Sequence, residues 1–213
     1  LAVSGTVAGI RIHYNDLLEN LDGLSGITDV TGEVYIAYSP ALEDLSGLSN
    51  LAGIGGRLYV YDNDAAGLTS LAALSSLQSV GGYVEVDDNA ALTELGLPAL
   101  QTVDGYMDID DNDALKYLEL PALTRIGDAD ADDDFRVWYN NALLGFGDMN
   151  NLQTIHGDFE VGYDHNNRSN GQIANFDGLS ALATVGGAVR VGYEPALRSM
   201  SGMAALASVG GQV

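Results

Sequence analysis

Val103-Asp104-Gly105-Tyr106-Met107-Asp108-Ile109-Asp110-Asp111-Asn112-Asp113-Ala114-Leu115-Lys116-Tyr117-Leu118-Glu119-Leu120-Pro121-Ala122-Leu123-Thr124-Arg125-Ile126 is one full turn of a repeating unit, and Ile126 opens the next. Its first half alternates, with Met107 and Ile109 apolar between Tyr106, Asp108 and Asp110. Alternation by two predicts a strand with one buried face. The second half recurs by three, most clearly three coils earlier in the chain at Leu42, Leu45, Leu48, Leu51 and Ile54. That period does not suit a long α-helix. It predicts short extended segments and tight turns with every third side chain inward, leaving room for a 3₁₀ turn.

Outward from this stretch, copies open at Val30, Ile54, Val80, Val103, Ile126, Ile155, Val185 and Val209. A repeat of this length, recurring along nearly the whole chain, means a solenoid whose units bury their apolar sides only against one another. The expected fold is a mostly β repeat solenoid of about eight coils with one main parallel sheet. At roughly 4.8 Å per coil the rod would be on the order of 40 Å long. The organisation reads as a single solenoid domain over 1–213. Residues 1–29 form a degenerate first coil around Val3-Ser4-Gly5-Thr6-Val7, and 30–213 form regular coils with insertions at 127–134 and 164–172. The pairs Gly55-Gly56, Gly81-Gly82, Gly186-Gly187 and Gly210-Gly211 predict a bend with positive φ entering the strand. Asn63, Asn89, Asn112 and Asn140 fall at one position after the strand, where stacked side-chain amides would bond the backbone of adjoining coils.

Composition narrows the function classes. Apolar residues make up 46% of the chain, enough for one continuous elongated core. No stretch of eighteen apolar residues exists, so no membrane-spanning helix is expected. The first residues lack a basic and an apolar region, so no signal peptide is expected within this sequence, as in a mature or trimmed protein. The net charge of −22, with Lys116 as the single lysine, argues against nucleic acid and anionic membranes as partners. It favours cationic partners, divalent metals or a salty medium. Without cysteine there is no disulfide, thiol chemistry or cysteine-based zinc site. Together these features fit the exterior of a prokaryotic cell, extracellular or at the cell surface.

The residues between the buried strand positions should share one outer wall in three columns. The first holds Glu33, Arg57, Tyr83, Tyr106, Asp134, Asp158 and Ala188. The second holds Tyr35, Tyr59, Glu85, Asp108, Arg136, Glu160 and Arg190, and the third Ala37, Tyr61, Asp87, Asp110, Trp138, Gly162 and Gly192. Aromatic side chains give large contact area at low entropic cost and anchor interfaces. The candidate ligand-binding face is therefore Tyr59, Tyr61, Tyr83, Glu85, Asp87, Tyr106, Asp108, Asp110, Arg136 and Trp138, with the Trp138 indole expected to be exposed. The alternative is that these residues are good strand formers on a soluble sheet.

The run Met107-x-Ile109-x-x-Asn112-x-x-Leu115-x-x-Leu118 resembles a leucine-rich repeat, and the Gly-Gly turn with a long period-three half is closer to the receptor L-domain family. The resemblance covers about residues 27 to 213. It implies a right-handed coil, a sheet face used for contact, and a role in binding proteins or as scaffold. The chain departs from the receptor members in having no cysteine, so their disulfide-bonded modules are absent.

Three smaller features carry chemistry. Asp128-Ala129-Asp130-Ala131-Asp132-Asp133-Asp134 places hard oxygen ligands at alternate positions, and Asp128, Asp130 and Asp132 are candidates for Ca²⁺. The glycine and glutamate of an EF-hand are missing. Asn167-Arg168-Ser169 is a glycosylation sequon at Asn167. Asp87-Asp88 lies one coil from Asp110-Asp111, and paired carboxylates are what glycoside hydrolysis needs, as on the sheet face of pectin-degrading β-helix enzymes. These acids, however, recur with the repeat, and His13, His156 and His165 lack metal-ligand spacing, so no catalytic residue is assigned.

The expected function is a non-enzymatic extracellular interaction or adhesion module that binds a protein or glycan through the aromatic and acidic face. The alternative is a structural subunit stacked end to end into a filament or surface layer, because Leu1-Ala2-Val3 and Ser208-Val209-Gly210-Gly211-Gln212-Val213 leave apolar strand edges for self-association, unless the chain is part of a longer solenoid. A glycan-active β-helix enzyme is the third reading.

Overall fold

The computed structural model describes residues 3–63, 67–128, 133–162 and 169–213. It is a β-solenoid of about eight turns, built on parallel sheets. The alternating halves form an eight-stranded sheet: Ile10–His13, Val34–Ala37, Leu58–Tyr61, Val84–Asp87, Met107–Asp110, Phe135–Val137, Phe159–Val161 and Val189–Val191. These strands lie side by side in chain order, each paired in register with the next, so that Val34, Leu58, Val84, Met107, Phe135, Phe159 and Val189 form one continuous inward row.

Where one main sheet is expected from the pattern, there is a second. It has nine strands: Ser4–Val7, Gly26–Val30, Gly53–Ile54, Ser79–Val80, Thr102–Val103, Arg125–Ile126, Thr154–Ile155, Thr184–Val185 and Ser208–Val209. Most are two residues long, too short for alternation to show in the sequence. A third sheet pairs Glu94–Gly96 with Tyr117–Glu119 on the period-three side. The stretch before Val30 is a full first coil, since Ser4–Val7 pairs with Gly26–Val30 across a bulge at Gly5 and Thr6, and Ile10–His13 pairs with Val34–Ala37.

The period-three residues point inward. Leu42, Leu45, Leu48 and Leu51 are completely buried, as are Leu115, Leu118, Leu120 and Leu123. Single 3₁₀ turns occur at Asp22–Leu24, Ser46–Leu48 and Ser201–Met203. Apart from Ala37, Tyr139 and Ala188, the buried apolar positions among the described residues belong to one contiguous core. Where the coil length grows, from Ile126 to Ile155 and from Ile155 to Val185, the core side chains grow as well. Phe135, Phe146, Phe159 and Phe176 fill the wider coils, with Phe135 and Phe159 stacked at 5.5 Å and Phe146 tilted against Phe176 at 5.4 Å.

The Gly-Gly corners correct the expected reason for glycine. None of the four pairs has positive φ. The constraint is space: a Cβ on Gly55 would lie 2.5 Å from the Thr31 carbonyl oxygen, and one on Gly81 would lie 2.6 Å from that of Gly55. Coils could not close to sheet spacing with a side chain there. The positive φ instead falls just after the strand, at Tyr14, Tyr38, Asp62, Asp88, Asp111, Tyr139 and Tyr193, at 49° to 57°. Aspartate tolerates this conformation better than most residues; tyrosine does not, so the corner is over-determined by its surroundings.

The next residue inward supplies that determination. Asn63, Asn89, Asn112 and Asn140 are buried, and each side-chain oxygen accepts a backbone N–H from the preceding coil. The Asn112 amide also donates to the carbonyls of Val86 at 2.9 Å and Asp110 at 2.7 Å. The ladder runs past the four residues expected. Asn170, within the second insertion, accepts from Asn140, and Glu194 accepts from the Asn170 backbone at 3.0 Å and its amide at 2.8 Å.

Candidate binding face

The register of the eight-stranded sheet places the candidate residues on one wall. Tyr59 lies beside Glu85, Glu85 beside Asp108 and Asp108 beside Arg136; Tyr61 lies beside Asp87, and Asp87 beside Asp110. Strand pleating alone turns all of them outward, because their neighbours Val60, Val86, Ile109 and Val137 are fully buried.

The tyrosines form two stacks rather than one patch. Tyr35 and Tyr59 lie 5.0 Å apart at 14°, with Tyr61 tilted against Tyr59 at 5.6 Å. Tyr83 and Tyr106 lie 4.4 Å apart at 9°. Arg57 joins the stacks, its guanidinium 5.6 Å from the Tyr59 ring centre and 5.5 Å from that of Tyr83. The same guanidinium donates to the Tyr83 hydroxyl, and its Nε donates to Glu33 at 2.7 Å. Glu33 also pairs with Arg11. Burial works against the Glu33 charge, yet the bonds from Arg57 and Arg11 hold its pKa below the ordinary glutamate value. Tyr35, Arg57 and Glu33 are structural partners that the candidate set omitted; their place in the same columns was the available signal.

At the other end, arginines interleave with acids. Arg136 pairs with Asp134 and, at 3.4 Å, with Glu160. Arg190 pairs with Asp158 and, at 2.7 Å, with Glu160. The Arg136 guanidinium covers Trp138 at 5.8 Å. Trp138 is therefore half-buried rather than a free indole, and its Nε1 is shielded from solvent without a hydrogen-bond partner.

Between these ends lies a block without arginine. No ion pair reaches Asp87, Asp108 or Asp110 among the described residues, and one carboxyl oxygen each of Asp108 and Asp110 is buried and unpartnered. Burial is the main force on all three. It pushes Asp108 up to about 7, with Arg136 opposing and Glu85, Glu160 and Asp134 adding to the rise. Asp87 reaches about 7 and Asp110 about 8, each raised further by neighbouring carboxylates. Tyr106 donates to Glu85 at 3.0 Å, and burial beside Glu85 also raises its own pKa. Around neutral pH this block holds protons that ordinary aspartates have lost.

Of the calcium candidates, Asp130 and Asp132 lie outside the described residues, as does the sequon asparagine Asn167. Asp128 is exposed, and its N–H donates to Asp133 at 2.9 Å. Asp134 accepts the Asp158 N–H at 2.6 Å while pairing with Arg136, so these two acids of the run serve the turn and the wall. Among the described residues no group of three acids or histidines is arranged to hold a metal ion, and no helix is long and apolar enough to cross a membrane. Asp88 and Asp111 occupy the positive-φ corner, which explains their recurrence.

Comparison of the chain with protein-family models, with curated proteins and with solved structures finds no match in any of the three.

Proposed function

We propose that this solenoid is a non-enzymatic interaction module of the cell exterior, of the receptor L-domain kind, and that it binds a protein or glycan through the wall of its eight-stranded sheet. One observation carries the reading. A flat, in-register surface presents stacked tyrosines, a tryptophan and a row of carboxylates that lack arginine partners, although arginines pair the acids on either side. Leaving ionisable groups half-buried and unpaired is unfavourable for the isolated fold. Such groups are retained where a partner completes them, and aromatic anchors beside them fit the same use.

The test compares the native chain with Tyr59→Ala and Trp138→Ala on arrays of glycans and of surface proteins. A ligand of the wall should lose roughly tenfold or more in affinity, about 1.4 kcal/mol, in each variant. Thermal melting should stay close to native, since both side chains lie outside the core. Ligands bound equally by all three chains would show that the wall is only a soluble surface.

A further inference from the structure

A broad concavity lies at the edge of the wall, where four successive coils turn into their strands. It encloses about 790 Å³ and is floored by Gly32, Gly56 and Gly82. Each glycine is required by coil stacking: a Cβ on Gly32 would meet the Ala8 carbonyl at 2.5 Å, and one on Gly56 would meet that of Gly32 at 2.9 Å. A trough without side chains is thus a by-product of closing the solenoid. Its volume falls in the range of small-ligand sites.

Two properties of the trough specify an occupant. The first is charge. The side chains along it are Arg11, Glu33, Arg57 and Tyr83. Both arginines pair with the one glutamate, which leaves a surplus cation in a chain of net charge −22. The Arg11 side chain is 67% exposed, so its remaining donors face solvent. Arginine presents a planar fork that matches a carboxylate.

The second property is the floor. Its backbone groups are already used, because Gly32 N–H donates to Ala8, Gly56 to Gly32, Gly82 to Gly56 and Gly105 to Gly82, at 2.8 to 2.9 Å. A peptide laid in the trough finds no main-chain partner there, so it could not add as a strand. A sugar ring needs none: its C–H face packs on the bare Cα groups and on Tyr83, and its polar groups turn toward the side chains.

We infer that this trough is a binding site for an acidic glycan, with a uronate carboxylate on Arg11 and Arg57 and the sugar ring over the glycine floor beside Tyr83. The site shares Tyr83 with the wall but uses none of the central carboxylates, and it does not depend on the function proposed for the wall. The rest of the molecule repels polyanions, so the ligand should be a short oligomer, and binding should strengthen as salt rises from about 0.01 M, where the screening length is roughly 30 Å, to about 0.15 M, where it is roughly 8 Å.

Titration calorimetry with a trigalacturonate, its carboxyl-reduced neutral counterpart and a tri-glutamate peptide tests the assignment. The expected result is saturable binding of the uronate alone, weakened tenfold or more by Arg11→Gln. Arg11 is exposed, so its substitution leaves the fold intact, as melting would verify. Equal binding of the neutral trisaccharide would overturn the role of the arginines. Equal binding of tri-glutamate would overturn the glycan assignment, and absence of uronate binding at either salt would overturn the site.

Discussion

At the residue scale, the buried amide ladder has the largest consequences. Removing the Asn112 side chain strands the backbone N–H of Asn89 in a dry corner and takes one bond each from the carbonyls of Val86 and Asp110, the latter keeping the Asp88 N–H at 3.2 Å. At about 1–3 kcal/mol for each unsatisfied group, Asn112→Ala should cost roughly 3–5 kcal/mol in chemical denaturation, far more than a surface substitution. A loss under 1 kcal/mol would mean that water replaces the amide. Glu194 occupies the last rung as an acceptor only; burial raises its pKa, against the bonds from Asn170, and its second oxygen is shielded with no partner. Glu194→Gln supplies an amide and should stabilise the chain near neutral pH. The carboxylate block makes a matching prediction. Unfolded, Asp87, Asp108 and Asp110 titrate near 3.9, whereas folded they titrate at about 7 to 8. Between those values the folded state holds protons that the unfolded state has released. Their contribution is therefore fully present below pH ~4 and is lost as pH rises through 7 to 8. Asp108→Asn should raise stability at pH 8 by roughly 1–2 kcal/mol, with exposure to solvent discounted, and flatten this slope. An unchanged pH profile would refute the assignment.

At the scale of the element, the length and the exposure of each strand decide what its sequence reveals. Strands of the wall were legible because each has one dry and one wet face, and alternation records that difference directly. Strands of the second sheet were not, because two residues before a turn carry no pattern. The Gly-Gly pairs predict positive φ because positive φ and close approach both select glycine, and only the stacking of the coils separates the two causes. Gly81→Ala should therefore cost about 2–3 kcal/mol through a clash with Gly55. Gly53→Ala, whose Cβ would meet nothing nearer than 3.4 Å, should fall within about 1 kcal/mol of native. Similar losses in both would point to chain flexibility rather than coil spacing. Asn170 was missed because the second insertion displaces it from the repeat count. Its spacing to the inward Ile173 is that of Asn112 to Leu115 and Asn140 to Leu143, a local signal that survives the insertion. The columns of the wall followed from register, but the pairing of Arg57 with two tyrosine stacks did not, since side-chain reach across coils leaves no trace in spacing.

At the scale of the whole molecule, charge and repetition act together. With a net charge of −22 on a narrow rod, like charges repel along its length. Raising the salt from about 0.01 M to 1 M shortens the screening length from roughly 30 Å to 3 Å and should raise the melting temperature by several degrees. A melting temperature that does not respond would place the excess charge too far apart to matter. Every coil-to-coil hydrogen bond in both long sheets points along the rod. A pull applied along that axis loads these bonds one rung at a time, whereas a pull across it loads a whole row at once. The protein should therefore be mechanically anisotropic. Drawn out from its ends it would unravel like a spring losing single windings, each releasing on the order of 80 Å of slack chain. Gripped across its flank it would resist as one beam.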